Sequence, residues 1–377
     1  MKRLLSSLIA PCLLFGALPA NAQITLNALT TFGANGWLAP GGSYAYLTTG
    51  NTERGLAFGN GHVYLVSRAN VSGSTVNVRL LNPLTGADVG GLNTTGISGG
   101  TFPINTIAVG GDGVIYVNNL TTADASGSPF KVYSWATEIS APVVAYNDSG
   151  LLLAGARIGD SFAATGSGSS TRLAAGFNSA PAVAGNNSYG IVDPTAGTGS
   201  AVAFTGTPPN GGDFRLGITF TDASHVIGTQ GSSLYRNTSF SGATGTLLGS
   251  PTIPDPAGAT ADRLLSYDLV GGHALLAVAS IGDFHVSLYD VTDPNNPLWI
   301  ASGNNTTGTL ASNGNGTGQL AWGSSTVNGD GSISVDLYAL SSNQGIQAFV
   351  VTIPEPGLFS LGVVGLALLA GRRRFHH

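Results

Sequence analysis

Cysteine occurs once in the 377 residues, at Cys12, and methionine once, at Met1. Everything downstream therefore lacks both, which excludes a disulfide framework or a thiolate metal site there. A fold without such staples has to hold itself by core burial and hydrogen bonding. Charge is also scarce, with Asp, Glu, Lys and Arg together only 9% of the chain. Setting aside Lys2, Arg3 and Arg372 to Arg374 leaves nine of the fourteen basic groups, and setting aside Glu355 leaves eighteen of the nineteen acidic ones, a net charge of −9. The single lysine between the termini is Lys131. Phosphate-backbone binding needs clustered cations, so nucleic acid is excluded as a partner. Amphipathic helical periodicity is missing as well. What the chain has in quantity is glycine, 56 residues of it.

The two ends carry the strongest signals. Lys2 and Arg3 precede an apolar run from Leu4 to Leu18, followed by Ala20-Asn21-Ala22. This order is that of a secretory signal peptide over residues 1–22, cleaved after Ala22, with Cys12 too deep in the apolar run to act as a lipidation site. At the other end, Pro354, Glu355 and Pro356 lead into an uncharged segment and then Arg372, Arg373 and Arg374. The prolines keep the chain extended before the apolar segment. That segment is short against the roughly 20 residues of a comfortable transmembrane helix, and the arginines fix its cytoplasmic side. Pro-Glu-Pro, a short apolar helix and a basic end over residues 353–377 resemble the PEP-CTERM sorting signal. The resemblance implies processing by an exosortase at the envelope of an exopolysaccharide-producing bacterium, with transient membrane anchoring, the secretion machinery as a further partner, and a final place at the cell surface or outside the cell.

Residues 23–352 read as short alternating strands separated by glycine-rich turns. Gly55 to Phe58, a Gly-Asn-Gly turn and His62 to Ser67 form a hairpin, followed by strands at Thr75 to Leu81 and Ala87 to Leu92. A second set runs through Ile104 to Val109, Val114 to Asn118, Phe130 to Trp135 and Pro142 to Tyr146, and a third lies near Phe162, Arg172 and Ile191. The fourth comprises Gly217 to Phe220, His225 to Thr229, Ser233 to Arg236 and Thr246 to Leu248. The fifth and sixth begin at Leu264 and Gln319. First strands recur roughly every 50 residues, which suits an all-β propeller of about six four-stranded blades. The piece from Ile24 to Leu47 is then available to complete the last blade and close the ring. A β-sandwich pair has no need of six similar units, and a β-solenoid has shorter and stricter periods. Asn51-Thr-Glu-Arg-Gly-Leu-Ala57, His62 to Arg68, Thr101 to Asn119 and Lys131-Val-Tyr-Ser-Trp135 also resemble uncharacterised secreted propeller-like domains of other PEP-CTERM proteins, a family that implies no catalytic motif.

Candidate chemistry is thin. Gly96-Ile-Ser98-Gly-Gly100 matches a nucleophile elbow in spelling, but no helix follows it. His62, His225 and His273 each open a second strand, a place that suits a recurring structural hydrogen bond or, alternatively, a ring of imidazoles at one mouth. The Asp-rich turns Asp290 to Asp293 and Asn328 to Ser332 lack the closing glutamate of a calcium loop, so Asx-turns are expected, with weak calcium binding the most they permit and no other cofactor indicated. Trp37, Trp135, Trp299 and Trp322 are expected in blade cores more than as sugar platforms. Glu53, Asp160, Asp213 and Asp262 fall at blade starts, each near an arginine (Arg54, Arg157, Arg215, Arg263). They are the candidate ligand mouth, read foremost as surface ion pairs each contributing at most about 1 kcal/mol. Two facing carboxylates there would instead serve glycoside chemistry. The expectation is thus a non-enzymatic exported binding or structural protein associated with exopolysaccharide, with a secreted carbohydrate-active hydrolase or lyase as the alternative.

Overall fold

Every second residue of a strand points to the same side, so a strand whose apolar residues do not alternate must be covered on both faces. His62–Ser67 is such a strand. Tyr64 and Val66 pack on one neighbour while Val63 and Leu65 pack on another, all four fully buried. Leu275, Ala277 and Ala279 against Leu276 and Val278 repeat the pattern two hundred residues later. Only a stack of sheets that packs on both sides accommodates this throughout the chain. In the computed structural model the described residues are 23–355 apart from 43, 123–126, 149–155, 179–187, 230–234 and 255–261. Within them the chain makes six antiparallel sheets arranged as a β-propeller.

Blade 1 contains Glu53–Gly59, His62–Ser67, Asn77–Leu81 and Asp88–Gly91. Blade 2 contains Phe102–Val109, Ile115–Leu120, Lys131–Trp135 and Val143–Asn147. Blade 3 follows with Arg157–Thr165, Arg172–Asn178, Tyr189–Asp193 and Thr198–Ala201. Gly217–Phe220, His225–Thr229, Arg236–Ser241 and Thr244–Gly249 form blade 4, with Ala203–Thr205 added in parallel at its outer edge. Blade 5 is Asp262–Val270, His273–Ser280, Val286–Asp290 and Leu298–Gly303. Blade 6 takes Gly318–Val327, Ile333–Ser341 and Gly345–Ile353 from the end of the chain, and its fourth strand, Thr25–Ala28, from the beginning. Trp37–Leu38 pairs on the same edge. The expected closure by Ile24 to Leu47 is thus present, and Gly318–Val327 lies beside Glu53–Gly59 to complete the circle.

One strand assignment is corrected. The third strand of blade 4 begins at Arg236, where the sequence pattern placed its end, because it is the backbone from Arg236 to Ser239 that pairs with His225 to Gly228. The ring is held by six apolar clusters, each between two neighbouring blades. Trp135 is completely buried between blades 1 and 2 and donates from Nε1 to Asn93 O at 2.8 Å. Burial of a side chain of that size is worth about 3 kcal/mol. Of the stretches assigned to sorting, 1–22 and 353–377, residues 1–22 and 356–377 lie outside the described residues; Ile353 ends the last strand of blade 6, and Pro354 and Glu355 form no strand. Among the described residues no helix is long and apolar enough to cross a membrane.

Candidate functional site

Inner strands all run the same way, so their first residues gather at one face of the ring. There the innermost pair shifts register in four blades: between Glu53 and Gly55, Phe102 and Thr106, Ile158 and Ser161, and Asp262 and Leu264. An extra residue in one strand of a pair has no ladder partner and turns its side chain to a new direction. In this way Arg54, Asp160 and Arg263 are released from the sheets at the mouth. Gly159 makes the turn in blade 3, with φ +109° and a position where a Cβ would stand 2.2 Å from Asn119 O. Gly316, at φ +65°, lets the loop before blade 6 lie over Arg263, whose Nη1 would be 2.0 Å from a Cβ there.

Asp160 is the acceptor at the centre of the mouth. Arg157 grips it with two hydrogen bonds, Nε to Oδ2 at 2.6 Å and Nη2 to Oδ1 at 3.0 Å. Arg215 Nη1 donates to Oδ2 at 3.2 Å, and Arg54 Nη1 stands 3.9 Å from Oδ1. Asp160 is fully buried and Arg54 almost so. Burial lowers the pKa of Arg54, against which Asp160 raises it, and Arg157 adds to the lowering. Arg68 comes from the second strand's end; burial first, then the charge of Arg54, pushes it down to about 10. Its guanidinium carbon sits 3.4 Å above the centroid of the Phe102 ring, and Nη2 donates to Asn51 O at 2.7 Å. Burial and Arg215 lower Arg263.

The sequence-nominated residues are therefore placed as follows. Glu53, Arg54, Asp160 and Asp262 sit at this mouth, and Arg54, Arg157 and Arg215, from three blades, converge on Asp160. Asp213 pairs with Arg236 at 2.7 Å rather than with Arg215. Glu53 does not pair with Arg54; its Oε1 accepts from Thr48 N at 3.0 Å and Thr52 Oγ1 at 2.5 Å. Burial raises its pKa above the ordinary carboxylate value, and Oε2 is buried with no hydrogen-bond partner among the described residues. The expectation of surface ion pairs is corrected at Asp160, where the pair is a buried cluster, because the bulge turns the carboxylate inward. Buried charge clusters cost desolvation, so such a cluster persists only when its members satisfy one another.

A cleft of about 580 Å³ opens beside this cluster over blades 1 and 2. Arg54, Arg68 and Arg157 line it together with Thr52, Thr101, Phe102 and Asn315, and no described carboxylate does. Arg54 Nη1, Arg68 Nε and Arg68 Nη1 are buried donors without a hydrogen-bond partner among the described residues. A second cavity of about 480 Å³ follows the ring axis. Gln319 crosses it: Oε1 accepts from Leu56 N at 3.0 Å and Ile107 N at 3.1 Å, while Nε2 donates to Ile107 O at 3.1 Å and Phe162 O at 3.0 Å. One side chain of blade 6 thus ties three other blades. Sequence reasoning missed Gln319, Arg68 and Phe102. The bulge-prone pairing of a charged residue with glycine, as in Glu53-Arg-Gly55 and Gly159-Asp160, marks two of the bulges at the mouth but none of these three residues.

The remaining candidates have local roles. His62 Nδ1 lies 2.8 Å from Glu138 Oε1, and His225 Nδ1 2.8 Å from Asp222 Oδ2, so these two imidazoles meet neighbouring carboxylates and not each other. Ser98 exchanges hydrogen bonds with the Tyr133 hydroxyl, and no helix follows it. Asp290, Asp293 and Asp330 accept from backbone N–H groups two residues on, as Asx-turns do. Trp299 departs from the expected core placement and is 40% exposed, because it stands on the outermost strand of blade 5. Among the described residues no three His, Cys, Asp or Glu side chains are placed to hold a metal ion.

Six four-stranded blades define a β-propeller, and its arginine-rich mouth lies at the face where the inner strands begin. The family model of DUF4623, a domain of unknown function, matches residues 20–180. A DUF4623 family protein from Bacteroides eggerthii is similar in structure, with a TM-score of 0.56 at 18% identity, over 88% of this chain and 75% of that one. The Malassezia sympodialis allergen Mala s 1 matches with a TM-score of 0.48 at 12% identity, over 78% of this chain and 90% of that one. The periplasmic gluconolactonase PpgL of Pseudomonas aeruginosa matches with a TM-score of 0.43 at 13% identity, over 80% and 85%. No curated protein matches the chain.

Proposed function

We propose that this chain is an exported, non-enzymatic propeller of the cell surface or extracellular matrix that binds exopolysaccharide at its mouth. One observation carries the reading: the cleft at the mouth is lined by arginines and by no described carboxylate. Glycoside hydrolysis by acid and base needs two carboxyl groups facing the substrate. Here Asp160 is enclosed by three arginines, and Glu53 lies behind Thr48 and Thr52. Delivery rests on the leader at residues 1–22 and the Pro354-Glu355-Pro356 tail with its three arginines. The topology is compatible with tethering, since blade 6 runs from the mouth at Gly318 down, up and down again, so that Ile353 leaves the ring on the opposite face.

The test incubates the purified full chain with the exopolysaccharide of its host. Saturable binding with no change in glycan chain length is expected, and depolymerisation would establish the hydrolase or lyase instead. Mass spectrometry of the surface form is expected to show a C-terminus near Pro354 to Pro356; an intact Arg372 to Arg374 tail would refute processing.

A further inference from the structure

The body of this chain carries twice as many acidic as basic groups, yet five of its nine basic side chains, Arg54, Arg68, Arg157, Arg215 and Arg263, gather at one mouth. Burial foremost, and to a lesser degree a neighbouring guanidinium, lowers the proton affinities of Arg54, Arg68 and Arg263. Folding tolerates such crowding when it serves an anion, because the cost of assembling the cations is already met before the ligand arrives. Asp160, Glu53 and Asp262 at the same mouth offset part of this charge.

Resting on the reading of the mouth as a polysaccharide site, we infer that the cleft over blades 1 and 2 selects acidic sugars, taking the carboxylate of a uronate residue at Arg54, Arg68 and Arg157. Three observations converge. The cleft's charged lining is arginine alone. Three buried guanidinium N–H-bearing atoms, Arg54 Nη1, Arg68 Nε and Arg68 Nη1, lack hydrogen-bond acceptors among the described residues, and an unpaired buried donor is costly until an acceptor reaches it. Planar guanidinium groups match the two oxygens of a carboxylate in a fork geometry. The rest of the lining suits a sugar more than a bare ion. Thr52, Thr75, Thr101, Thr122, Asn51 and Asn315 offer hydroxyls and amides to ring hydroxyls. Phe102 backs Arg68 from behind at 3.4 Å and holds its plane fixed. At about 580 Å³ the space exceeds what a carboxylate alone would fill and falls within the ordinary range for small-molecule sites.

The experiment is calorimetric titration of the full chain with tetragalacturonate, with the neutral galactose tetramer of the same linkage, and with acetate and inorganic phosphate. The inference expects the acidic tetramer to bind at least tenfold more tightly than the neutral one and than either small anion, with affinity falling as salt rises. Arg68→Gln is expected to weaken it at least tenfold. Should that variant lose its fold by circular dichroism, Thr122→Glu, which adds a carboxylate at the exposed rim, is expected to weaken the acidic tetramer several-fold more than the neutral one. Equal affinity for the two tetramers, or indifference to Thr122→Glu, overturns acidic-sugar selection while leaving exopolysaccharide binding standing. Acetate or phosphate binding as tightly as the acidic tetramer overturns it in favour of a simple oxyanion site. Failure of every glycan, including the host's own polymer, overturns both readings.

Discussion

At the scale of single residues, Glu53 and Asp160 show how two carboxylates at one mouth diverge. Asp160 is surrounded by guanidinium groups, whereas Glu53 has hydroxyl and amide partners on one oxygen and, among the described residues, none on the other. Burial therefore raises the pKa of Glu53 from its ordinary 4.5. Below that value both folded and unfolded states hold the proton and the group contributes nothing to pH dependence. Above it the unfolded chain ionises first, so stability falls as pH rises until the folded-state pKa is passed. Glu53→Gln removes this slope, and is expected to be more stable than the parent near pH 7 by about 1 kcal/mol, the burial cost of the charge less the amide's own. Thermal midpoints of the two proteins from pH 4 to 7 check it, with the difference between them growing with pH; a constant difference would show that Glu53 ionises in the folded state as it does in the unfolded one.

Among the elements, the short strand Thr25–Ala28 has an effect beyond its length. It pairs with Phe349 to Thr352 and covers an edge that would otherwise present unpaired backbone groups. Removal of the chain through Ala28 is expected to cost about 3 kcal/mol, from several ladder hydrogen bonds at roughly 1 kcal/mol each. It should also promote edge-to-edge association. Thermal unfolding with size-exclusion chromatography reads both effects, and a stable monomer would show that apolar packing between blades 6 and 1 is sufficient for closure. This strand was legible in the sequence only as a spare piece of suitable pattern, because a four-residue strand carries little periodicity of its own. The blades were legible, since turns such as Gly59-Asn-Gly61 punctuate apolar runs. Ala203–Thr205 was not, as a parallel edge strand is set by where blade 4 happens to lie.

For the whole molecule, the ring is coupled through Gln319. Its side chain satisfies backbone groups of blades 1, 2 and 3 at the axis. Gln319→Leu leaves the Leu56 and Ile107 N–H groups without this acceptor, and about 2 kcal/mol of destabilisation is expected with an unchanged all-β far-ultraviolet spectrum. Denaturant titration measures it; a loss below about 0.5 kcal/mol would mean that water in the axial cavity replaces the amide. No sequence pattern distinguishes this glutamine from any other, because its four partners lie in strands up to 263 residues away.

The amino-acid order by itself determined the all-β character and the six repeats, both of which depend on neighbours within a few residues. It also marked the acid and arginine positions at blade starts. Only the tertiary structure decided that Arg54, Arg157 and Arg215 meet on one aspartate, that Asp213 turns to Arg236, and that Arg68 joins the cleft. Strand periodicity says which face a side chain takes, but bulges and ring closure set where it points, and both arise from contacts between blades.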